Sequence, residues 1–207
     1  MDDWSLFLAP YEQVVKELKT KLRSIRSQYM GIDEHAPVEF VTGRVKTKES
    51  ILDKCRLRGI DINHLADEMY DIAGVRIMCQ FVEDIPEVIS LIKNRTDLTV
   101  VKEIDYLSMQ KASGYRSYHL IVKYPIYWRN EEREYYAEIQ IRTLAMNFWA
   151  TIEHSLNYKY RGEYPDEIKK RLIRVAEAAY LLDNEMSEIR AEVKDAQIYL
   201  ASKNKGR

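Results

Sequence analysis

"GYRSYHLIVKYP" (residues 114–125) and "REYYAEIQIRT" (residues 133–143) decide the fold. In the second stretch Tyr135, Ala137, Ile139 and Ile141 alternate with Glu134, Tyr136, Glu138, Gln140 and Arg142. Side chains alternate faces along a strand, so this strand has one apolar face and one polar face. The first stretch reads the same way from Leu120 on: Leu120, Val122 and Tyr124 face one side, Ile121 and Lys123 the other. The turn-rich "WRNEER" between them favours a hairpin. The start of the first strand is unusual. Tyr115, Arg116, Ser117, Tyr118 and His119 follow Gly114 and carry too many hydrogen-bonding groups for a core strand. Tyr115, Ser117 and His119 share one face, which in a hairpin lies beside Glu138 and Gln140. That polar face suits a half-exposed antiparallel strand, or a patch joining an aromatic ring, an imidazole, a carboxylate and an amide.

Upstream, the four–three spacing of Trp4, Leu8, Tyr11, Val15, Leu18, Leu22, Ile25 and Tyr29 predicts an amphipathic helix over 3–29, ended by Gly31 and the linker "GIDEHAP". "VEFVTGRVK" (38–46) reads as a short extended piece with a turn at Gly43, and 47–58 as a helix. "DINHLADEMYD" adds a short helix, and "GVRIMCQFV" (74–82) is the clearest strand. A helix with Pro86 in its first turn (85–95) and a strand from 98 lead to the hairpin. After Thr143 the pattern is helical: one helix over "LAMNFWATIEHSLNYKY", then a long one from Pro165. Its apolar register runs Ile168, Leu172, Val175, Ala179, Leu182, Met186, Ile189, Val193, Ala196 and Leu200, more heptads than a small core needs. The tail 201–207 is basic and is expected to be disordered. The whole implies one α+β domain over 1–207: an N-terminal helix (1–30), a mixed-sheet core (38–143) and C-terminal helices (144–200).

Lys plus Arg (32) nearly cancels Asp plus Glu (33), so the global charge argues against duplex DNA as a partner. Cys55 and Cys79 stand without a CxxC or a nearby histidine and read as buried thiols in a reducing compartment. "MDDWSLFLAPYEQ" lacks the features of a signal peptide, and no apolar run approaches membrane-spanning length. A cytoplasmic protein is expected.

Three clusters carry candidate chemistry. Arg44, Lys46, Lys48, Ser50 and Lys54 surround a glycine and a helix start, a setting that suits polyphosphate or is simply a solvated basic face. It is not a P-loop, because the second glycine is missing. Asp71 precedes the 74–82 strand, where an aspartate serves either as a cap or as a ligand. Arg76 lies on an otherwise apolar strand; a buried guanidinium needs partners, and its flat face can stack on a base. Together these describe a nucleotide site with phosphate-binding cations, planar stackers and two carboxylates, Asp71 and Glu138, for Mg²⁺.

"EFVTGRVK", "DIAGVRIMCQF", "KASGYRSYH" and "EIQIRTLAMNFWATIEHSLNYKY" resemble the RelA/SpoT synthetase domain, and more narrowly the small alarmone synthetases of the RelQ type, over essentially the whole chain. The resemblance implies a nucleotidyltransferase-like core and a GTP pyrophosphokinase. Such an enzyme moves the β,γ-pyrophosphoryl group of ATP to the ribose 3′-hydroxyl of GDP or GTP, giving (p)ppGpp and AMP. It implies that Arg44 and Arg76 sandwich adenine, and that Lys46, Ser50, Lys54 and Lys111 hold the ATP phosphates. Asp71 would bind Mg²⁺, and Glu138 would bind Mg²⁺ or act as general base. Tyr115 would stack on guanine, with His119 and Gln140 orienting the acceptor. It also implies a homotetramer with (p)ppGpp as an allosteric activator near Arg23, Glu39, Phe40 and Thr42. Single-stranded RNA is a further candidate partner of the same tyrosines and arginines. Relatives often carry Arg or Lys before the "DY" at 105–106; here Ile104 stands there, so Lys102 replaces that phosphate contact or it is missing. The four histidines are scattered and form no His-Asp pair, so synthesis without hydrolysis is expected.

Overall fold

The computed structural model describes residues 3–30, 35–109, 111–160 and 164–205. Helix α1 (Trp4–Met30) is followed by strand β1 (Phe40–Val45) and helix α2 (Lys48–Arg58). A 3-10 turn (Ile62–His64) runs into the one-turn helix α3 (Leu65–Glu68). Then come β2 (Ala73–Cys79), α4 (Asp84–Lys93), β3 (Thr99–Asp105), β4 (Tyr118–Trp128), β5 (Glu131–Thr143), α5 (Leu144–Lys159) and α6 (Asp166–Lys205). Gly31, the start of the linker and the last two tail residues lie outside the described residues. As far as Lys205 the tail continues α6, where disorder was expected.

The five strands form one sheet in the order β1-β2-β5-β4-β3. The β2–β5 pair is parallel and the others antiparallel, which gives the expected mixed sheet. The hairpin turn is tighter than "WRNEER" suggested. Arg129 and Asn130, at φ 49° and 65°, make a two-residue turn that pairs Trp128 with Glu131. Two consecutive positive φ values match the twist of the flanking strands. Thr47 and Thr143 cap α2 and α5, their hydroxyls accepting from the amides of Ser50 and Met146.

Alternation then does the sorting. Val41, Val75, Ile77, Leu120, Val122, Ala137, Ile139 and Ile141 are fully buried on one face. There they join Val14, Leu18 and Leu22 of α1 and Ile85, Val88 and Ile92 of α4 in a single core. Thr42, Arg44, Gly74, Arg76, Glu138 and Gln140 fall on the opposite face and line a cavity.

Two local expectations are corrected. Gly43 is not a turn; β1 runs straight through it. A Cβ there would come 2.8 Å from Val15 Cγ1 and 3.3 Å from the Gly74 carbonyl, so the glycine lets α1 lie close to the sheet. The first hairpin strand begins at Tyr118, which leaves 114–117 as a loop. Both cysteines are buried, free thiols. No described helix is long and apolar enough to cross a membrane.

Candidate active site

The cavity on the polar face measures about 280 Å³ and is lined by Thr42, Gly43, Arg44, Lys46, Asp71, Gly74, Val75, Arg76, Glu138 and Gln140. One wall is a charge cluster. Lys46, just past the end of β1, and Lys54, on α2, both donate to Asp71 Oδ2, at 2.7 and 2.5 Å. All three side chains are about four-fifths buried. Burial raises the Asp71 carboxyl, but the two ammonium groups outweigh it and hold it below its ordinary value. Burial pulls Lys54 down, against the opposing effect of Asp71. The cluster carries two positive charges on one negative, so it keeps a net attraction for anions.

The second wall centres on Glu138. His119 Nδ1 lies 2.9 Å from Glu138 Oε1, and Gln140 Nε2 donates to Oε2 at 2.7 Å. The β4–β5 register sets Gln140 opposite His119 and Glu138 opposite Ile121, so the imidazole reaches diagonally across the pair. Burial raises the Glu138 carboxyl; the donors His119 and Gln140 outweigh it and keep it below its ordinary value. Arg76 Nε donates to Gln140 Oε1 at 3.0 Å. The hairpin patch expected from alternation is therefore assembled.

Tyr115 is placed differently from a free stacking platform. Its hydroxyl lies 2.8 Å from His119 Nε2 and accepts from Arg142 Nη2 at 2.6 Å. Lys111 Nζ sits 4.8 Å from its ring centre and 4.2 Å from that of Tyr106. Lys111 thus lies beside Tyr115 and Tyr106, and does not line the Asp71–Glu138 cavity. Ser50 borders an adjoining hollow of about 590 Å³, shared by Arg44, Lys46 and Arg76 with Thr151, His154 and Ser155 of α5. Ile104 pairs with His119 across β3–β4. Of the four outlying residues, Thr42 lines the cavity and Phe40 is exposed at the strand's start. Arg23 donates from α1 to the Val41 carbonyl, and Glu39 is paired with Arg26.

Sequence reasoning missed Arg142, Tyr106 and His154 as members of the site. Alternation had already put Arg142 on the polar face, which was a usable signal. Tyr106 meets both Tyr115 and His119 edge-on, and only the β3–β4 pairing brings it there.

The oxygens present suit a hard divalent cation. Asp71 Oδ1 is buried and has no hydrogen-bond partner among the described residues. Glu138 borders the same cavity, and Mg²⁺ bound with phosphates uses one or two carboxylates.

A family profile described as a region found in RelA and SpoT proteins matches residues 43–163. Along its whole length the chain is 57% identical to GTP pyrophosphokinase YjbM of Bacillus subtilis (strain 168) and covers 98% of it. The crystal structure of small alarmone synthetase 1 from Bacillus subtilis bound to its product pppGpp is similar at a TM-score of 0.89 and 57% identity. That match covers 92% of this chain and 97% of the other. Small alarmone synthetase 1 from Bacillus subtilis bound to AMPCPP is similar at 0.82 and 53% identity, over the same shares of the two chains.

Proposed function

The chain belongs to the RelA/SpoT family, and on that premise we propose that it is a GTP pyrophosphokinase that makes (p)ppGpp and AMP from ATP and GDP or GTP. The observation that carries this reading is a single cavity bordered by Lys46, Asp71 and Glu138, with Lys54 on Asp71 and donors on both Glu138 oxygens. Pyrophosphoryl transfer needs charge neutralisation and in-line positioning more than covalent help.

Lys46 and Lys54 hold the triphosphate, exchanging part of their contact with Asp71 for phosphate oxygens. Ser50 and Thr47 lie at the α2 N-terminus, where backbone N–H groups favour an anion. Arg44 and Arg76 offer planar faces to adenine from neighbouring strands. Asp71, whose buried Oδ1 has no hydrogen-bond partner among the described residues, would hold Mg²⁺, which would supply neutralisation of the phosphate oxygens when bound. Glu138 takes the proton from the acceptor's 3′-hydroxyl. Its ionised state suits that task, and a general base contributes roughly 10²–10⁴-fold. His119 and Gln140 fix the direction of its remaining lone pairs. Tyr115 stacks on guanine, and Lys111 moves aside to admit the base.

The α6 stripe supports assembly as a homotetramer. Val175, Leu182, Met186, Ile189, Val193 and Leu200 are all exposed, while α6 packs inward through Ala176 and Asp183. Light scattering of the wild type beside Leu182→Glu/Ile189→Glu tests this. An activating alarmone site would lie where α1 meets the start of β1, at Arg23, Glu39, Phe40 and Thr42, and (p)ppGpp titration of Phe40→Ala reads it.

The central test incubates the protein with Mg²⁺, γ-labelled ATP and either GDP or GTP, beside Glu138→Gln. Label on the guanosine nucleotide with AMP released, and none from the variant, upholds the reading. Absence of transfer by the wild type, even with added pppGpp, overturns it.

A further inference from the structure

Arg142 is 3% exposed, yet no carboxylate pairs with it among the described residues. Its partners are all neutral. Nε donates to Ser117 Oγ at 3.2 Å, and Nη2 donates to Tyr115 Oη at 2.6 Å and to Gln140 Oε1 at 2.8 Å. A guanidinium buried without a counter-charge is costly and calls for a reason.

The reason lies in what its partners touch. A guanidinium only donates. Gln140 Oε1 must therefore face Arg142 and Arg76, which turns the amide nitrogen toward Glu138 Oε2. Tyr115 Oη accepts from Arg142, so its own proton points to His119 Nε2, 2.8 Å away. Nε2 is then the acceptor of the ring, and the ring proton sits on Nδ1, directed at Glu138 Oε1. Reversing either branch would set acceptor against acceptor at the carboxylate.

We infer that Arg142 is the positioning residue common to both hydrogen-bond branches converging on Glu138, setting the Tyr115–His119 branch alone and the Gln140 branch together with Arg76. It touches neither substrate in the proposed reaction. It acts through Gln140 on one oxygen and through Tyr115 and His119 on the other, and so holds the carboxylate with its free lone pairs toward the cavity. The idea rests on Glu138 being the base, as proposed above. Outer partners that orient a reactive group typically contribute 10–100-fold to activity.

The test combines kinetics with the tautomer of His119. In protein labelled with ¹⁵N-histidine, the wild type is expected to carry the His119 proton on Nδ1. Arg142→Met should give a mixture and lower kcat by roughly 10–100-fold with the ATP KM unchanged. Arg142→Lys, which keeps charge and donors, should recover part of both signals. A proton on Nε2 in the wild type overturns the inference, and needs no variant to fold. So does an Arg142→Met protein that loses kcat while its His119 proton stays on Nδ1, which would make Arg142 a packing residue of the loop. If Glu138→Gln retains transfer, the base assignment fails, and the tautomer measurement still decides the role of Arg142.

Discussion

Asp71 meets its cations Lys54 and Lys46, 17 and 25 residues upstream. Each sits on, or directly beside, a regular element. Tyr115 sits on a loop instead. It is held by Arg142, 27 residues downstream on β5, and the same loop is crowded by Ala176 of α6. The lysine wall and this loop, a tyrosine wall that backs the Glu138 wall through His119, thus differ in kind. The lysine wall is pre-organised by strands and a capped helix and keeps a net positive charge. The tyrosine wall is a loop held from behind by a buried arginine and a helix. A rigid wall suits polyphosphate, whose charge is always in the same place. Under the proposed assignment, a held loop suits a base that enters and a product that leaves.

The sharpest way to separate the walls is Asp71→Asn. Removing the shared carboxylate should cut transfer by on the order of 10²–10³-fold, with acceptor binding measured by calorimetry unchanged. A comparable loss of acceptor affinity would break the distinction. Gly114→Ala probes the other wall. Gly114 has φ +83°, and a Cβ there would lie 2.4 Å from the Ala176 Cβ. The left-handed backbone alone costs about 1–2 kcal/mol for a residue with a Cβ. The acceptor KM should therefore rise about tenfold, with the ATP KM constant, and Ala176→Gly should restore part of it. An effect on ATP instead would show that the loop serves both substrates.

Gly43→Ala sharpens the view of the lysine wall as rigid scaffold. Overpacking against Val15 should lower stability by about 1–3 kcal/mol in urea denaturation, while any protein that remains folded binds acceptor normally. The smallest effect concerns acid. Asp71 is held below its ordinary pKa by Lys46 and Lys54. A depressed folded pKa contributes stability that is complete above the unfolded pKa and is lost as pH falls through the folded one. Thermal melts from about pH 6 down to 3 should show the wild type losing stability more steeply than Asp71→Asn. Parallel curves would remove Asp71 from the acid response.

Much of this was legible in the residues. Alternation along 133–143 placed Glu138 and Gln140 on a polar face opposite Ile139 and Ile141, and the hairpin brought His119 to Glu138. Gly43 was misread because its cause is remote: α1, far upstream, packs against it, and nothing next to Gly43 announces that approach. The onset of β4 was placed early because Tyr115 and Ser117 continue the alternation, although their hydroxyls bond to Arg142 and lie outside the ladder. In α6 the helix forms as read, but its register is half-buried only at Ile168, Leu172 and Ala179, while Val175, Leu182, Met186, Ile189, Val193 and Leu200 are exposed. The inward seam runs through Ala176, Asp183 and the half-buried Arg190, which binds Asp84 at 3.0 Å. Periodicity states that a face exists and not what covers it.

By itself the amino-acid order determined the elements, their two faces and the residue types that serve polyphosphate chemistry, because hydrophobic period and strand alternation are local properties. Only the tertiary structure decided that both lysines share one carboxylate, that Tyr115 turns its hydroxyl inward, and that a buried arginine held by Ser117, Tyr115 and Gln140 directs the hydrogen bonds around Glu138. Those outcomes depend on which groups meet after the sheet closes. In a desolvated cleft each donor must find an acceptor, so direction and partner are settled together across the whole network.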